Sequence, residues 1–328
     1  MTSPTEPQDP IVTPSARDGA PGASVAPPDG EGRATALPGS SATAPAPAAK
    51  VGHAPVPAAE AGHGDAPALV PEPAPAYGSP AVSLRGLVKT FGHKVAVAGI
   101  SLDIPAGSFY GLVGPNGAGK TTLLSMATGL LRPDAGTATI CGVDMWTDPV
   151  QAKRLLGVLP DGMAIFDRLT GTQLVTYAGL LRGMDRETVA SRTADLMGVL
   201  DLREAADTLV VDYSAGMTKK VTLAAALIHA PRVLVLDEPF EAVDPVSASH
   251  IRAILSDYVA SGGTVIVSSH VMDLVQRMCD HVAVVVDGQV RAAGTVDEVR
   301  AGRSLEERFV ELAGGQLSGE GLSWLRSS

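Results

Sequence analysis

The chain has 328 residues, a formal charge of −10 and a mean hydropathy of +0.19. So acidic a balance argues against nucleic acid as the main partner, and no apolar run reaches the about eighteen residues that cross a bilayer, so a soluble chain is expected. Cys141 and Cys279 lie far apart in apolar surroundings, which predicts reduced, buried thiols rather than a disulfide or a metal site.

Of the 25 prolines, 17 fall within residues 1–80, a stretch of Ala, Pro, Gly and Ser with few residues able to form a core. It is expected to be a disordered tail. It lacks a charged start followed by an apolar core, so neither a signal peptide nor an anchor is expected. A folded domain is expected over residues 81–315, followed by a short tail, 316–328.

Ala81 to Val88 and Ala98 to Ile104 read as short alternating strands, with Phe91 and Gly92 between them. The Phe91 ring suits either stacking on a base or packing on the core. Next comes Gly111 to Leu124, GLVGPNGAGKTTLL, an apolar run, a glycine-rich turn and a helical pattern. Gly114, Gly119, Lys120 and Thr121 fit the phosphate-binding loop, which comprises Gly114, Pro115, Asn116, Gly117, Ala118, Gly119, Lys120, Thr121 and Thr122. Its glycines let successive backbone N–H groups face an anion, and a helix starting near Gly119 adds its positive end. Lys120 is then expected at the β- and γ-phosphates and the Thr121 hydroxyl on Mg²⁺.

Helical spacing runs on to Leu131, and Arg132 to Gly136 read as a turn. Thr137 to Cys141 and Leu155 to Leu159 are strand-like, and Pro160 and Asp161 break the pattern. From Thr170 to Ala206 the sequence reads as short helices, with Leu174, Leu180, Leu181, Leu196, Leu200 and Leu202 covering one face. Ser214 is a natural N-cap for a helix running to Ala230.

Val233 to Leu236 reads as a strand buried on both faces, ending in Asp237 and Glu238. Two carboxylates at a buried strand end are costly unless a cation compensates them, which argues for Mg²⁺. Alternation along a strand sends the two to opposite sides, one toward metal and the other toward an attacking water. Asp244 and Pro245 open a further helix. Thr264 to Val267 forms another strand, followed by Ser268, Ser269 and His270, at the sheet edge where open α/β folds bind ligands. Asp287 and Gly288 mark a hairpin, and Ser304 with Glu307 caps a last helix ended by Gly314.

Taken together, from Val82 to about Gly314, these motifs resemble the ATP-binding subunit of ABC transporters. The resemblance implies an α/β, RecA-like P-loop NTPase: a mainly parallel sheet, an N-terminal antiparallel β subdomain and an α-helical insertion at about 162–215. It implies adenine stacking on Phe91, magnesium ligation by Thr121, Asp237 and Asp161, Glu238 as general base, and His270 as the residue contacting the γ-phosphate. Ser214, Ala215 and Gly216 correspond to the signature that reaches across a homodimer formed on ATP binding, and Asp244 to the loop linking the two sites. Two positions depart from the family. Asp161 stands where Gln is usual, and Ala215 replaces a glycine of the signature, which predicts reduced turnover.

Tyr213 to Met217 and the closing helix Leu305 to Leu312 are similar to subunits that power multidrug or polyketide-antibiotic exporters. A separate permease with about six transmembrane helices is implied, docked near Asp161, Ile165 and Phe166 on a short helical surface. The expected location is cytoplasmic, at the inner face of the cell membrane. The competing expectation is a non-transport ATPase or a nucleotide-dependent regulator.

Overall fold

The computed structural model describes residues 80–162 and 166–314. The expectations for residues 1–79 and 315–328, and for Ile165, lie outside the described residues.

Two long strands, β1 (Pro80–Phe91) and β2 (Lys94–Pro105), form an antiparallel hairpin that turns just after Phe91. β3 (Phe109–Val113) follows, fully buried, and delivers the glycine-rich turn to helix α1 (Lys120–Ala127). The helix stops four residues before Leu131. The Thr128 hydroxyl donates to the Leu124 carbonyl, and Leu130 stays exposed although it continues the apolar period. β4 (Ala135–Ile140) and β5 (Val143–Asp144) join the first hairpin in a four-stranded sheet ordered β2-β1-β4-β5. Ala135 and Gly136 therefore belong to a strand rather than to the expected turn.

After α2 (Pro149–Arg154) and β6 (Leu156–Leu159), the chain leaves the sheet for α3 (Gly171–Leu181) and α4 (Arg186–Val199). In this insertion Leu174, Leu200 and Leu202 are buried, but Leu181 is 68% exposed and Leu180 also faces outward. The expectation that all six leucines cover one buried face fails at these two. α3 is only eleven residues long, and its buried side is taken by Gly171, Leu174, Val175 and Gly179.

α5 (Ala215–Leu227) returns the chain to β7 (Val233–Leu236), after which come α6 (Pro245–Ala260), β8 (Thr264–Ser269) and α7 (Met272–Met278). The α5 helix stops three residues short of the expected Ala230. β9 (His281–Val286) and β10 (Gln289–Thr295) close a hairpin through Asp287 and Gly288, both with positive φ, as a two-residue turn of that hand requires. α8 (Val296–Arg300) and α9 (Leu305–Leu312) follow, each opened by a capping box.

The second sheet has six strands in the order β10-β9-β3-β8-β7-β6, parallel except for the β9–β10 pair. Its strands other than β10, which is an exposed edge, are buried on both faces, and alternate residues feed two separate cores. Leu234, Leu236, Val265 and Val267 pack toward α5 and α6, whereas Val233, Val235 and Ile266 join Tyr110, Leu112 and the α1 residues. Cys141 and Cys279 are both free thiols; Cys279 is buried and Cys141 half-buried. Among the described residues no helix is long and apolar enough to cross a membrane.

Candidate functional site

β3, β6, β7 and β8 run in the same direction, so their carboxyl ends open on one edge of the sheet, and an open cleft of about 450 Å³ lies there. Phe91, Lys94 and Ala96 line it from the first hairpin, and Asn116, Gly117, Gly119, Lys120, Thr121 and Thr122 from the loop after β3. Asp161, Glu238, Glu241 and His270 complete the wall. Gly114, Pro115, Ala118 and Asp237 are not part of this lining: Gly114, Ala118 and Asp237 are buried, and Pro115 is exposed. Phe91 is 52% exposed, so packing on the core does not explain it.

The start of α1 faces this cleft. It has no side-chain cap and no acidic residue in its first turn, so its free N–H groups and dipole favour an anion. Gly119 before it has φ 103°, and a side chain there would run into the Ala96 carbonyl. Lys120, nearly buried, folds over the loop: its Nζ donates to the Gly114 carbonyl at 2.8 Å and to the Pro115 carbonyl at 3.3 Å. The same Nζ is 3.8 Å from Glu238 Oε1, and His270 Nδ1 is 3.2 Å from that oxygen. Lys120, Glu238 and His270, far apart in sequence, are thus brought together.

Asp237 and Glu238 are separated by a turn, not by strand alternation. β7 ends at Leu236, and Glu238 adopts a left-handed φ of 45°, a conformation costing a non-glycine residue about 1–2 kcal/mol. Hydrogen bonds hold it there. The Glu238 N–H donates to Ser268 Oγ at 2.9 Å, and its carbonyl accepts from Lys219 Nζ at 3.1 Å and from the Glu241 N–H at 3.2 Å. The fully buried Ser268 hydroxyl in turn donates to Asp237 Oδ1. Asp237 turns inward, buried, with its N–H on the Leu159 carbonyl at 2.8 Å.

Ser214, Ala215 and Gly216 stand away from the cleft, at the start of α5, where Ser214 Oγ accepts from the Met217 N–H at 3.2 Å. Asp244 caps α6, accepting from the N–H groups of Val246 at 3.0 Å and Ser247 at 2.9 Å. The Ser247 N–H, foremost among these donors, holds the Asp244 carboxyl below its usual range. Gly216 abuts this cap: a β-carbon there would fall 2.9 Å from both Asp244 Oδ2 and Ser247 Oγ. The two stretches therefore meet within one chain. Phe166 packs edge-on against Tyr177, with 5.8 Å between ring centroids, and both are exposed. It precedes a turn, so the described part of the expected helical surface is not helical.

The sequence did not single out Lys94, Glu241 or Lys219, and it placed Ser268 at the sheet edge without its bonds to Asp237 and Glu238. Spacing hinted at two of them, since Lys94 and Glu241 each follow a chosen residue by three positions, and nothing local pointed to Lys219.

An uncapped helix start with a lysine beneath it, facing an acidic turn and a histidine across a parallel sheet edge, defines a nucleoside triphosphatase of the P-loop class. The chain belongs to the ABC transporter family, whose family model matches residues 97–241. It is 36% identical over 221 residues to the daunorubicin/doxorubicin resistance ATP-binding protein DrrA of Streptomyces peucetius, covering 67% of each chain. It is 36% identical over 213 residues to the Nod factor export ATP-binding protein I of Burkholderia lata, covering 65% of this chain and 70% of the relative. A solved ATP-binding subunit of an ABC transporter superposes with a TM-score of 0.66 at 25% identity, over 70% of this chain and 98% of the other. The protein is therefore an ATP-binding and ATP-hydrolysing subunit of an ABC transporter. The relatives do not favour a non-transport ATPase or a regulator.

Proposed function

We propose that this subunit drives export of a substrate, chosen by the permease, through a separate permease with about six transmembrane helices. The relatives named for drug resistance and for export support that direction. Its place is the cytoplasmic face of the membrane, and the exposed Phe166, with the adjoining Asp161 turn, is the surface offered to the permease. Residues 81–315 are the ATP-binding domain.

Glu238 is the general base for the attacking water, and His270, 3.2 Å from its carboxylate, orients it. Lys120 and the α1 N-terminus receive the β- and γ-phosphates, and Phe91 stacks on adenine. Thr121, Asp237 and Asp161 supply the oxygen donors suited to Mg²⁺, which neutralises charge on the phosphates when bound. Ser214, Ala215 and Gly216 complete the site of a second subunit, and Asp244, in contact with Gly216, carries the closure from one site to the other.

One observation carries this reading: Lys120 and His270 converge on a single Glu238 oxygen inside the cleft. The test is Glu238→Gln. The variant is expected to bind ATP and form a stable ATP-dependent dimer without hydrolysing it; a rate close to the wild type would exclude Glu238 as the base. Recovery from detergent-solubilised membranes with a polytopic partner tests the transport reading, and recovery with soluble partners alone would sink it.

A further inference from the structure

The side chain that reaches the Glu238 backbone from outside the sheet is Lys219, on the first turns of α5, five residues beyond Ser214. Its ammonium lies between two acceptors, the Glu238 carbonyl at 3.1 Å and Asp161 Oδ1 at 3.9 Å. It is largely buried, with a side chain 19% exposed, and it is absent from the lining of the nucleotide cleft.

We infer that Lys219 is a positioning residue for hydrolysis. It ties the helix that begins with Ser214, and the Asp161 turn, to the carbonyl of Glu238. The inference rests on Glu238 as the base. Glu238 is pinned at both peptide ends: Ser268 holds its N–H, while Lys219 and the Glu241 N–H hold its carbonyl. Its left-handed φ of 45° sets the direction of the carboxylate, and such a conformation persists only where its surroundings over-determine it. The Lys219 bond is charge-assisted, hence among the stronger of these restraints. Losing it leaves the carbonyl with one donor and lets the peptide relax toward negative φ, swinging the carboxylate away from His270. Asp161 contributes from the other side. Its carboxylate draws the same ammonium, so the length of the bond to Glu238 depends on where the Asp161 turn stands. Movement of α5 or of that turn is thus felt at the base without passing through the nucleotide.

Lys219→Met keeps the aliphatic stem and removes both charge and donor. In the full-length chain assembled with its permease, turnover is expected to fall about tenfold, with KM for ATP within about twofold of the wild type, because the residue does not touch the nucleotide. Lys219→Arg, which restores a charged donor, is expected to recover most of the rate, and Lys219→Gln to be intermediate. Binding of a fluorescent ATP analogue is expected to be unchanged in all three. If the Met variant does not fold, the ratio of the Arg to the Gln rate decides alone. Full turnover in Lys219→Met, equal impairment of the Arg and Gln variants, or a rise in KM that accounts for the loss would overturn the inference. Persistent turnover in Glu238→Gln would remove the base and this inference with it. A dead Glu238→Gln beside a normal Lys219→Met would remove only the role of Lys219.

Discussion

Lowering the pH is expected to destabilise the protein through one side chain, His229, before the carboxylates contribute. His229 follows the end of α5, with Nε2 2.8 Å from the Leu156 carbonyl and 3.0 Å from Arg182 Nη1, while Nδ1 is buried without a partner. Burial first, and then the Arg182 guanidinium, push its pKa down to about 4. The folded chain therefore holds the imidazole neutral, whereas the unfolded chain protonates it near pH 6.5. A depressed folded value means that the contribution is complete above about pH 6.5 and is lost as the pH falls from there toward about 4. The gap between the two values is worth roughly 3 kcal/mol in all, of which about 2 kcal/mol is gone by pH 5. Asp185, Asp244, Glu298 and Glu307, whose carboxyls backbone N–H groups hold below the usual range, lose their own contributions at lower pH, so pH 5 isolates the histidine. The assay is urea unfolding at pH 8 and pH 5 for the wild type and for His229→Gln, which keeps an N–H donor near the Leu156 carbonyl but does not titrate. The wild type is expected to lose about 2 kcal/mol more than the variant between the two pH values. Parallel losses in the two proteins would refute the argument.

Two further predictions concern the site. Phe91→Ala is expected to raise KM for ATP about tenfold with little change in kcat, since stacking on a base is worth about 1–3 kcal/mol; Phe91→Tyr should bind as the wild type does, and an unchanged KM in the Ala variant would exclude the stacking role. Asp161→Gln combined with Ala215→Gly restores the usual residues at both departures and is expected to raise the ATPase rate of the assembled complex at least about twofold. A rate unchanged or lower would show that neither residue limits turnover.

Motifs whose chemistry depends on neighbours in sequence were readable from it. The loop from Gly114 to Thr122 needs glycines at fixed steps, Ser304 and Glu307 cap within one turn, and Asp287 with Gly288 turns a hairpin by itself. Helix limits were less readable, because Leu130 and Leu131 continue the apolar period of α1 while the Thr128 hydroxyl ends it. The apolar pattern of α3 likewise did not reveal which side faces outward, since Leu180 and Leu181 are apolar but exposed. Least readable was the backbone of Glu238. Its left-handed turn depends on Lys219 and Ser268, brought to it by packing from 19 and 30 residues away.

The register of three strands accounts for how these distant residues meet. Leu159 pairs with Leu236, and Leu236 with Val267, so the three lie side by side across β6, β7 and β8. Two residues past each stand Asp161, Glu238 and Ser269, with His270 next. The polar wall of the cleft is thus one row of the sheet continued into turns. Parallel pairing buried on both faces resists slippage, because a one-residue slip would exchange the residues that feed the two cores. Apolar residues such as Leu236 and Val267, which touch no nucleotide, therefore set the distance between Glu238 and His270 by holding that row level. Lys219 then needs only to fix the last peptide, the one whose φ the sheet does not dictate.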